Sequence, residues 1–478
     1  MKNFLTSKKG LAYGGIFFIC LILVVLVLIP LGMILSRSFI YDGEINFSRA
    51  FFLITNSENL KTITNTLVLG FSVVICSTLI ALPLAFLTAR TQIAKHKWLD
   101  IILMIPFMTP PYIASMGWIL FTQKRGLFQQ MFPSTGSFSE NFISFWGIVL
   151  IMSFHLFPFI LTIIKNALLN VGASLEESAE VFGAKPFYKL RRITVPLITG
   201  NYLIGALLVF VKAVSEFGTP ATLGRRIGFN VFVTEIHYSA TVAPIDFGKA
   251  ASLSSLLIFI CCMVWFVQNN VTHKTSYKLI SGKGSRRYFN KLKTGKLFCA
   301  WTYIFLLLII AIGIPYFSVT VTSLIKLRGF GMQAGNYTFD HYVNLFSANP
   351  RGLAAFKNSI FFAVTSATIA TLIGTAAATI IHYAKNKFLK LIHVIGLMPE
   401  MLPNIVFVIG IMIFWNTVYH IIPVYNSIWI IVLSYVTLFL PFSIQYVTSS
   451  YSQIGDNLVW AGKVFGGTPA YIFRRITL

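Results

Sequence analysis

Three ionisable side chains fall within or beside long apolar stretches: His155 in SFHLFPF, Glu216 in SEFGTPATLG, and Glu400 between two prolines. Burying such a group in a bilayer is costly unless it is hydrogen-bonded, paired or lining water. They therefore either line a path for a polar solute or serve the fold. In the second case His155 bonds to a neighbouring helix, and the two glutamates sit at interfacial depth. Their spacing predicts no metal site, and no nucleophile–base pair accompanies them.

The sequence also contains no P-loop motif for binding the phosphates of a nucleotide. A P-loop requires Gly-Lys followed by Ser or Thr, because the hydroxyl binds the nucleotide's magnesium ion. The four Gly-Lys pairs here are followed by Ala, Gly, Leu and Val. The five cysteines lie in or beside apolar runs without paired ligand spacing. The chain is therefore predicted to be no enzyme and to hold neither cofactor nor metal.

The elements that position these residues are membrane helices. The chain is 56% hydrophobic with a mean hydropathy of +0.77 and only 11% charged residues, which indicates a polytopic membrane protein. The first apolar stretch is interpreted as a retained signal anchor because it is long and lacks a clean cleavage site. Ten spans are predicted, at 11–35, 62–89, 99–121, 143–165, 197–213, 248–269, 297–322, 357–383, 389–416 and 427–449.

A formal net charge of +24 is typical of nucleic-acid binding, but its placement indicates topology instead. Basic residues collect in alternate loops, and the stretch 270–296 has eight of them and no acid. This is the positive-inside pattern, so these loops and the N-terminus are predicted to be cytoplasmic. No nucleic-acid partner is expected.

The sequence contains an internal repeat. Residues 170–196 and 453–478, the first and second repeated segments, align at an offset of 283 and share Val-Phe-Gly and Arg-Arg-Ile-Thr. Pro106 and Pro110 match Pro399 and Pro403 at an offset of 293 and are expected to kink their spans. The repeat predicts two tandem six-span halves, residues 1–269 and 297–478, joined by a basic linker at 270–296. The second half is expected to lack two spans, as in a fragment or an interrupted gene.

The first repeated segment is predicted to form a helix–turn–helix. The predicted helix over residues 175–182 has Leu175, Ala179 and Phe182 on one stripe. It ends at Gly183, which suits a left-handed C-terminal position, and Pro186 prevents its continuation. The segment is too polar to span a membrane, so it is expected to lie across the cytoplasmic face. Its duplication favours a docking element over a solvated loop.

The pattern Glu177-Ser178-Ala179, Gly183, Ile193 and Pro196 resembles the EAA signature of permease subunits of ATP-binding-cassette (ABC) importers. Ser178 stands where that family usually has Ala. In the second copy Trp460 replaces the glutamate, Gly466 and Ile476 are kept, and the proline lies beyond Leu478. With SEFGTPATLG and the fused halves, the chain most resembles ferric-iron import permeases. Permeases for aminoethylphosphonate, thiamine and polyamines look much the same.

The resemblance implies an all-α, MetI-like type I importer permease in the bacterial inner membrane, in contact with lipid. It implies two copies of a cytoplasmic ABC ATPase, one at each repeated segment, and an extracytoplasmic substrate-binding protein. Transport is then rigid-body switching between two states. Two alternatives remain: a secondary transporter driven by an ion gradient, and a truncated remnant that does not transport.

Overall fold

The computed structural model describes residues 14–41, 44–46, 48, 52, 55–134, 141–275, 291–347, 350–383, 390–453, 456–472 and 474–475. In the first part of the chain the helices are α1 Gly14–Phe39, α2 Ser57–Arg90, α3 Trp98–Met108, α4 Pro111–Thr122, α5 Leu127–Met131, α6 Phe145–Asn170, α7 Ala173–Val181, α8 Pro186–Lys189, α9 Val195–Ser215, α10 Gly218–Leu223, α11 Phe232–Thr241 and α12 Phe247–Thr275. Two short antiparallel strands, β1 Ile40–Tyr41 and β2 Glu44–Ile45, pair Ile40 with Ile45.

The remaining helices follow the linker: α13 Thr294–Leu324, α14 Asp340–Ser347, α15 Pro350–Tyr383, α16 Lys390–Met401, α17 Asn404–Thr417, α18 Trp429–Gln453, α19 Asp456–Val464 and α20 Pro469–Ile472. All ten predicted spans have a counterpart among these helices when each of two bent pairs is counted as one span.

The two bent pairs are the predicted spans 99–121 and 389–416. The chain turns by 87° between α3 and the stretch Pro111–Met131, which contains α4 and α5, and by 109° between the helices of the second pair, Leu391–Met401 and Asn404–Thr417. The residue before a proline is pushed out of the helical region, and proline has no N–H to continue the hydrogen-bond ladder. Accordingly Pro110 and Pro403 adopt extended backbone angles and each precedes the second helix of its pair. The predicted bends are observed at Pro110 and Pro403, whereas Pro106 and Pro399 lie within α3 and α16.

Packing divides the chain into two compact units that cut across the sequence repeat. Unit A comprises residues 1–50, 243–258 and 350–478, and unit B comprises residues 51–242 and 259–349. Each unit therefore contains the first span of one half together with most of the other half. The predicted division of the sequence into two tandem halves, joined by a linker at residues 270–296, stays a prediction.

The centre of unit B is the pair α2 and α6, with α9 against α2. The Ser153 hydroxyl on α6 lies 3.4 Å from the carbonyl of Val73 on α2. Phe71 and Phe210 pack with ring centroids 4.9 Å apart, and the hydroxyls of Thr78 and Tyr202 are 3.3 Å apart. Short polar side chains and aromatic contacts thus hold these helices together without relying on burial from water.

The centre of unit A is the equivalent pair α15 and α18. Here the Ser366 hydroxyl on α15 lies 3.4 Å from the Val432 carbonyl on α18. In the repeat, Ser366 on α15 aligns with Val73 on α2, and Val432 on α18 aligns with Val149 on α6. The serine that donates across this crossing is therefore on the first helix of the pair in unit A and on the second helix in unit B. The first span joins this unit through an apolar cluster composed of Ile19, Leu23, Ala377, Ile392, Leu440 and Ile444.

A proline–glycine contact recurs in both units. In unit A the backbone of Pro30 on α1 lies against Gly410 on α17, where an added Cβ would stand 2.7 Å from the Pro30 oxygen. In unit B Pro315 on α13 lies against Gly117 on α4, where a Cβ would stand 2.6 Å from the Pro315 backbone. Each proline follows a π-helical turn, Val24–Leu28 or Ile309–Gly313. Close backbone approach at glycine is how membrane helices gain packing energy.

Candidate functional site

The first repeated segment folds as the predicted helix–turn–helix. α7 ends in a Schellman motif, in which the Ala184 amide donates to the Ala179 carbonyl at 2.9 Å and the Gly183 amide to the Glu180 carbonyl at 2.8 Å. Gly183 has φ +76°, the left-handed conformation that glycine adopts without a Cβ clash. The predicted left-handed conformation of Gly183 is confirmed, and α8 then begins at Pro186.

The second repeated segment has the same turn geometry. Gly466 has φ +76°, and the Gly467 amide donates to the Gly462 carbonyl at 2.9 Å, the equivalent of the Ala184 bond. The Thr468 hydroxyl accepts from the Tyr471 amide at 3.2 Å and caps α20. Two segments whose helices differ in sequence thus converge on one backbone shape.

Both turns project an apolar pair, which we call the Val-Phe tips: Val181-Phe182 and Val464-Phe465. The exposed fractions are 85% and 88% in the first tip and 80% and 90% in the second. Sequence reasoning placed Phe182 on an apolar stripe of the helix and missed this exposure. The signal that could have revealed it is the Val-Phe-Gly run kept in both copies.

The other predicted docking residues lie around these tips. Glu177 and Ser178 are exposed on α7, Ala179 and Ile193 are half-buried, and Pro196 is exposed at the start of α9. Trp460 on α19 is 63% exposed. Ile476 lies outside the described residues. The structure thus brings Glu177, Ser178 and Gly183 onto one element beside the first tip.

An ion pair closes the first helix–turn–helix. The Lys189 ammonium on α8 bonds to the Glu180 carboxylate on α7, and Lys189 is largely buried. The second segment has Lys463 and Ile472 at these positions, and Ile472 is 6% exposed. One copy therefore closes the turn with a charge pair and the other with an apolar side chain.

We expect Lys189→Ile, which copies Ile472, to keep α7 and α8 together, whereas Lys189→Glu places two carboxylates side by side and opens them. Amide hydrogen exchange over residues 173–189 measures this opening. Protection should fall at least about tenfold in Lys189→Glu and stay within about threefold in Lys189→Ile, because a repelling pair costs more than an apolar replacement. Equal loss in both variants would contradict the closing role of this pair.

His155 satisfies a carbonyl that the Pro110 break leaves without a helical donor. The Pro106 oxygen would accept from the N–H of residue 110, but residue 110 is a proline. Instead the His155 Nδ1 lies 2.8 Å from the Pro106 oxygen, so this nitrogen carries the hydrogen. This is the neighbouring-helix bond weighed in the sequence analysis. A role of His155 in a translocation path stays a prediction.

We expect His155→Leu, which copies Leu438 of the second repeat, to lower the free energy of unfolding by about 1–2 kcal/mol, because the Pro106 carbonyl loses its donor. Thermal unfolding in detergent measures the change. His155→Asn, which keeps a donor, should recover part of it. Unchanged stability with lost uptake would assign His155 to the path instead.

The two predicted glutamates also have local partners. The Glu216 carboxylate accepts from the Thr219 amide, at 3.0 and 3.2 Å from its two oxygens, and thereby caps α10. Glu400 on α16 accepts from the Gln445 amide on α18. Within the described residues no group of three or more His, Cys, Asp or Glu side chains is placed to hold a metal.

The family of this chain follows from comparison with known proteins. Residues 78–277, which include the first repeated segment and most of the unit B core, match the family described as binding-protein-dependent transport system inner membrane component. Residues 78–277 therefore form a permease domain of this ABC importer family. The predicted all-α permease fold is confirmed, and so is the prediction that the chain is a transport subunit with no enzyme activity of its own.

Proteins similar to this permease are named for the transport of different substrates. It is 26% identical over 298 residues to the putative ferric transport system permease protein FbpB 1 of Haemophilus influenzae, covering 60% of this chain and 47% of that one. Against the Fe(3+)-transport system permease protein FbpB 2 of that organism it is 24% identical, covering 95% and 83%. Against the sulfate transport system permease protein CysT of Salmonella typhimurium it is 21% identical, covering 56% and 92%.

The chain spans about half the length of the first of these relatives. Among solved structures, a chain of the bacterial alginate ABC transporter matches at a TM-score of 0.42 and 16% identity, covering 58% of this permease and 97% of that chain.

Proposed function

We propose that this permease imports ferric iron across the bacterial inner membrane, driven by a separate ABC ATPase and supplied by an extracytoplasmic binding protein. The family match supports the import role. The choice of ferric iron as the substrate rests on the alignment over 95% of the chain to a permease named for Fe(3+) transport. Both halves contribute to that alignment, whereas the sulfate relative covers 56% of the chain.

The coupling step rests on the repeated segments. With the N-terminus cytoplasmic, both segments face the cytoplasm, where each Val-Phe tip fits an apolar groove of one ATPase subunit. The exposed Glu177 beside the first tip adds a charge that fixes orientation. ATP-driven approach of the two ATPase subunits then moves the two tips as rigid bodies, because each turn is held by its Schellman bonds. Movement of the spans follows from this displacement.

A permease that bound iron strongly would release it slowly. The contacts of His155, Glu216 and Glu400 with protein groups support structural roles for all three.

An oxyanion importer is the second candidate, favoured by the relatives named for sulfate and molybdenum transport. The discriminating experiment compares uptake of ferric iron, sulfate and molybdate by cells with and without this permease. We expect ferric uptake alone to fall.

Proteoliposomes holding the permease, its ATPase and internal ATP separate the ABC mechanism from a secondary transporter. Uptake should require ATP and survive dissipation of ion gradients. Uptake that persists without the ATPase would overturn the proposal.

A further inference from the structure

Two loops of unit B, beside the ends of α4 and α13, carry a group of cations. Lys124 and Arg125 lie on the first loop, Lys326 and Arg328 on the second, and all four are exposed. We call these four residues the basic platform. In the proposed topology both loops lie outside the cytoplasm, where the positive-inside pattern disfavours Lys and Arg. The basic platform is thus an exception to the positive-inside pattern, as are Arg225 and Arg226 after α10.

The Gln130 side chain ties the two loops together. Its amide donates to the Arg125 carbonyl at 2.9 Å, and its oxygen accepts from the Met332 amide at 2.9 Å. Gly331 has φ +56°, which favours glycine, and a Cβ there would stand 2.2 Å from that oxygen and displace the Gln130 side chain. The link between the loops is therefore built into the packing.

Each loop is also held from within. The buried Asn336 side chain accepts from the Leu327 amide at 2.9 Å and donates to the Leu327 and Gly331 carbonyls, both at 2.8 Å. Arg125 has φ 58°, and its amide donates to the Gln129 side chain at 2.7 Å. A backbone fixed in this way presents its cations with little further loss of conformational entropy on binding.

Two adjoining cavities open among the cations. One, of about 270 Å³, is lined by Lys124, Arg125 and Arg328. The other, of about 440 Å³, is lined by Lys326, Arg328 and Tyr342. They share Arg328, and among the residues that the structure describes no carboxylate lines either one. The platform thus holds several like charges in fixed positions without an acid in the cavity walls.

Exposed apolar side chains lie on the same stretch of chain. Leu327, Phe330, Phe339 and Tyr342 are 54%, 57%, 72% and 44% exposed. Arginine and aromatic residues together are the composition enriched at protein–protein contacts. A small anion would use the cations and leave these apolar groups in water, whereas a protein surface covers both.

We propose that the basic platform docks an acidic face of the soluble binding protein, whose Asp or Glu side chains enter the two cavities. This inference rests on the proposed function and names the docking residues of that partner. Complementary charge speeds encounter and fixes register, while the surrounding aromatic groups add contact area.

Carbodiimide cross-linking of the full chain in its own membranes tests this proposal, because the reagent joins amines only to carboxylates in contact. We expect Lys124 or Lys326 to be linked to an Asp or Glu of an exported soluble protein that stimulates the ATPase. The double variant Arg125→Glu with Arg328→Glu should lower both the yield of the link and the stimulation about tenfold at low salt, and less at high salt.

Two control variants sharpen the test. Lys124→Arg with Lys326→Arg removes the reactive amines but keeps the charge, so the link should vanish while stimulation stays. Arg226→Glu, an exposed change that lines neither cavity, should alter neither readout.

ATP-driven uptake by the unaltered permease is measured first, since its absence would count against the proposed function. With uptake present, three results would each overturn the platform proposal. These are no soluble-protein link at Lys124 or Lys326, links to membrane proteins only, and stimulation unaffected by the Arg125→Glu and Arg328→Glu changes.

Discussion

Phe182→Asp abolishes ATP-driven uptake while the permease still folds and inserts; this is the result we expect from the exposed first Val-Phe tip. Phe182 is 88% exposed, so the substitution removes no internal contact. An aromatic side chain filling a partner's groove contributes at least about 2 kcal/mol, or about 30-fold in affinity, and a carboxylate there adds a desolvation penalty. The measurement is ATPase stimulation and uptake in proteoliposomes.

Phe465→Asp should act in the same way, because the second tip repeats the turn and is 90% exposed. Ile421→Asp is the matched control: it introduces the same charge at an 82% exposed apolar position outside both repeated segments. Equal loss of uptake in Ile421→Asp, or normal uptake in Phe182→Asp, would remove the coupling role of the tips.

Gly117→Leu and Gly410→Leu are expected to disrupt the packing of the first span of each half. A Cβ at either position would meet proline backbone at 2.6 or 2.7 Å, closer than any real contact, so the helices must separate. Overpacking of this kind costs about 1–3 kcal/mol or more, and the cost here falls on backbone that cannot rotate away. Thermal unfolding in detergent and the yield of folded protein measure the effect.

Gly32→Leu and Gly295→Leu are the matched controls, because a Cβ at either position has nothing within 4 Å. Gly32 lies on α1 near Pro30, and Gly295 lies on α13. Both controls should unfold within about 0.5 kcal/mol of the unaltered permease, as unobstructed exposed changes do. Similar destabilisation by Gly32→Leu and Gly410→Leu would contradict the proline–glycine contact.

Hydropathy and proline spacing were enough to predict the ten spans, the two proline bends and the left-handed Gly183. These features depend on local backbone chemistry and on bilayer thickness, which a single sequence records. The exchange of first spans between the units was not predictable in this way. It depends on which glycine meets which proline across hundreds of residues, and Gly117 and Gly410 look like ordinary span glycines in the sequence.

The candidate site was predicted in part for a similar reason. Glycine and proline revealed the turn, but an apolar pair in a polar segment reads as a helix stripe, so the exposure of Phe182 was missed. The basic platform escaped notice because Lys124 and Arg328 lie about 200 residues apart in sequence, and it is the packing of α4 on α13 together with the Gln130 bonds that brings their loops together.

Photocross-linking tests the central claim most directly. A benzophenone amino acid placed at position 182, at 465, or at 421 as the control is activated in intact membranes, and the linked protein is identified by mass spectrometry. We predict that positions 182 and 465 link to a cytoplasmic subunit carrying a P-loop and that position 421 does not. If neither tip position is linked to that subunit, although the permease is folded and uptake is intact, the claim that the Val-Phe tips dock into the ATPase is contradicted.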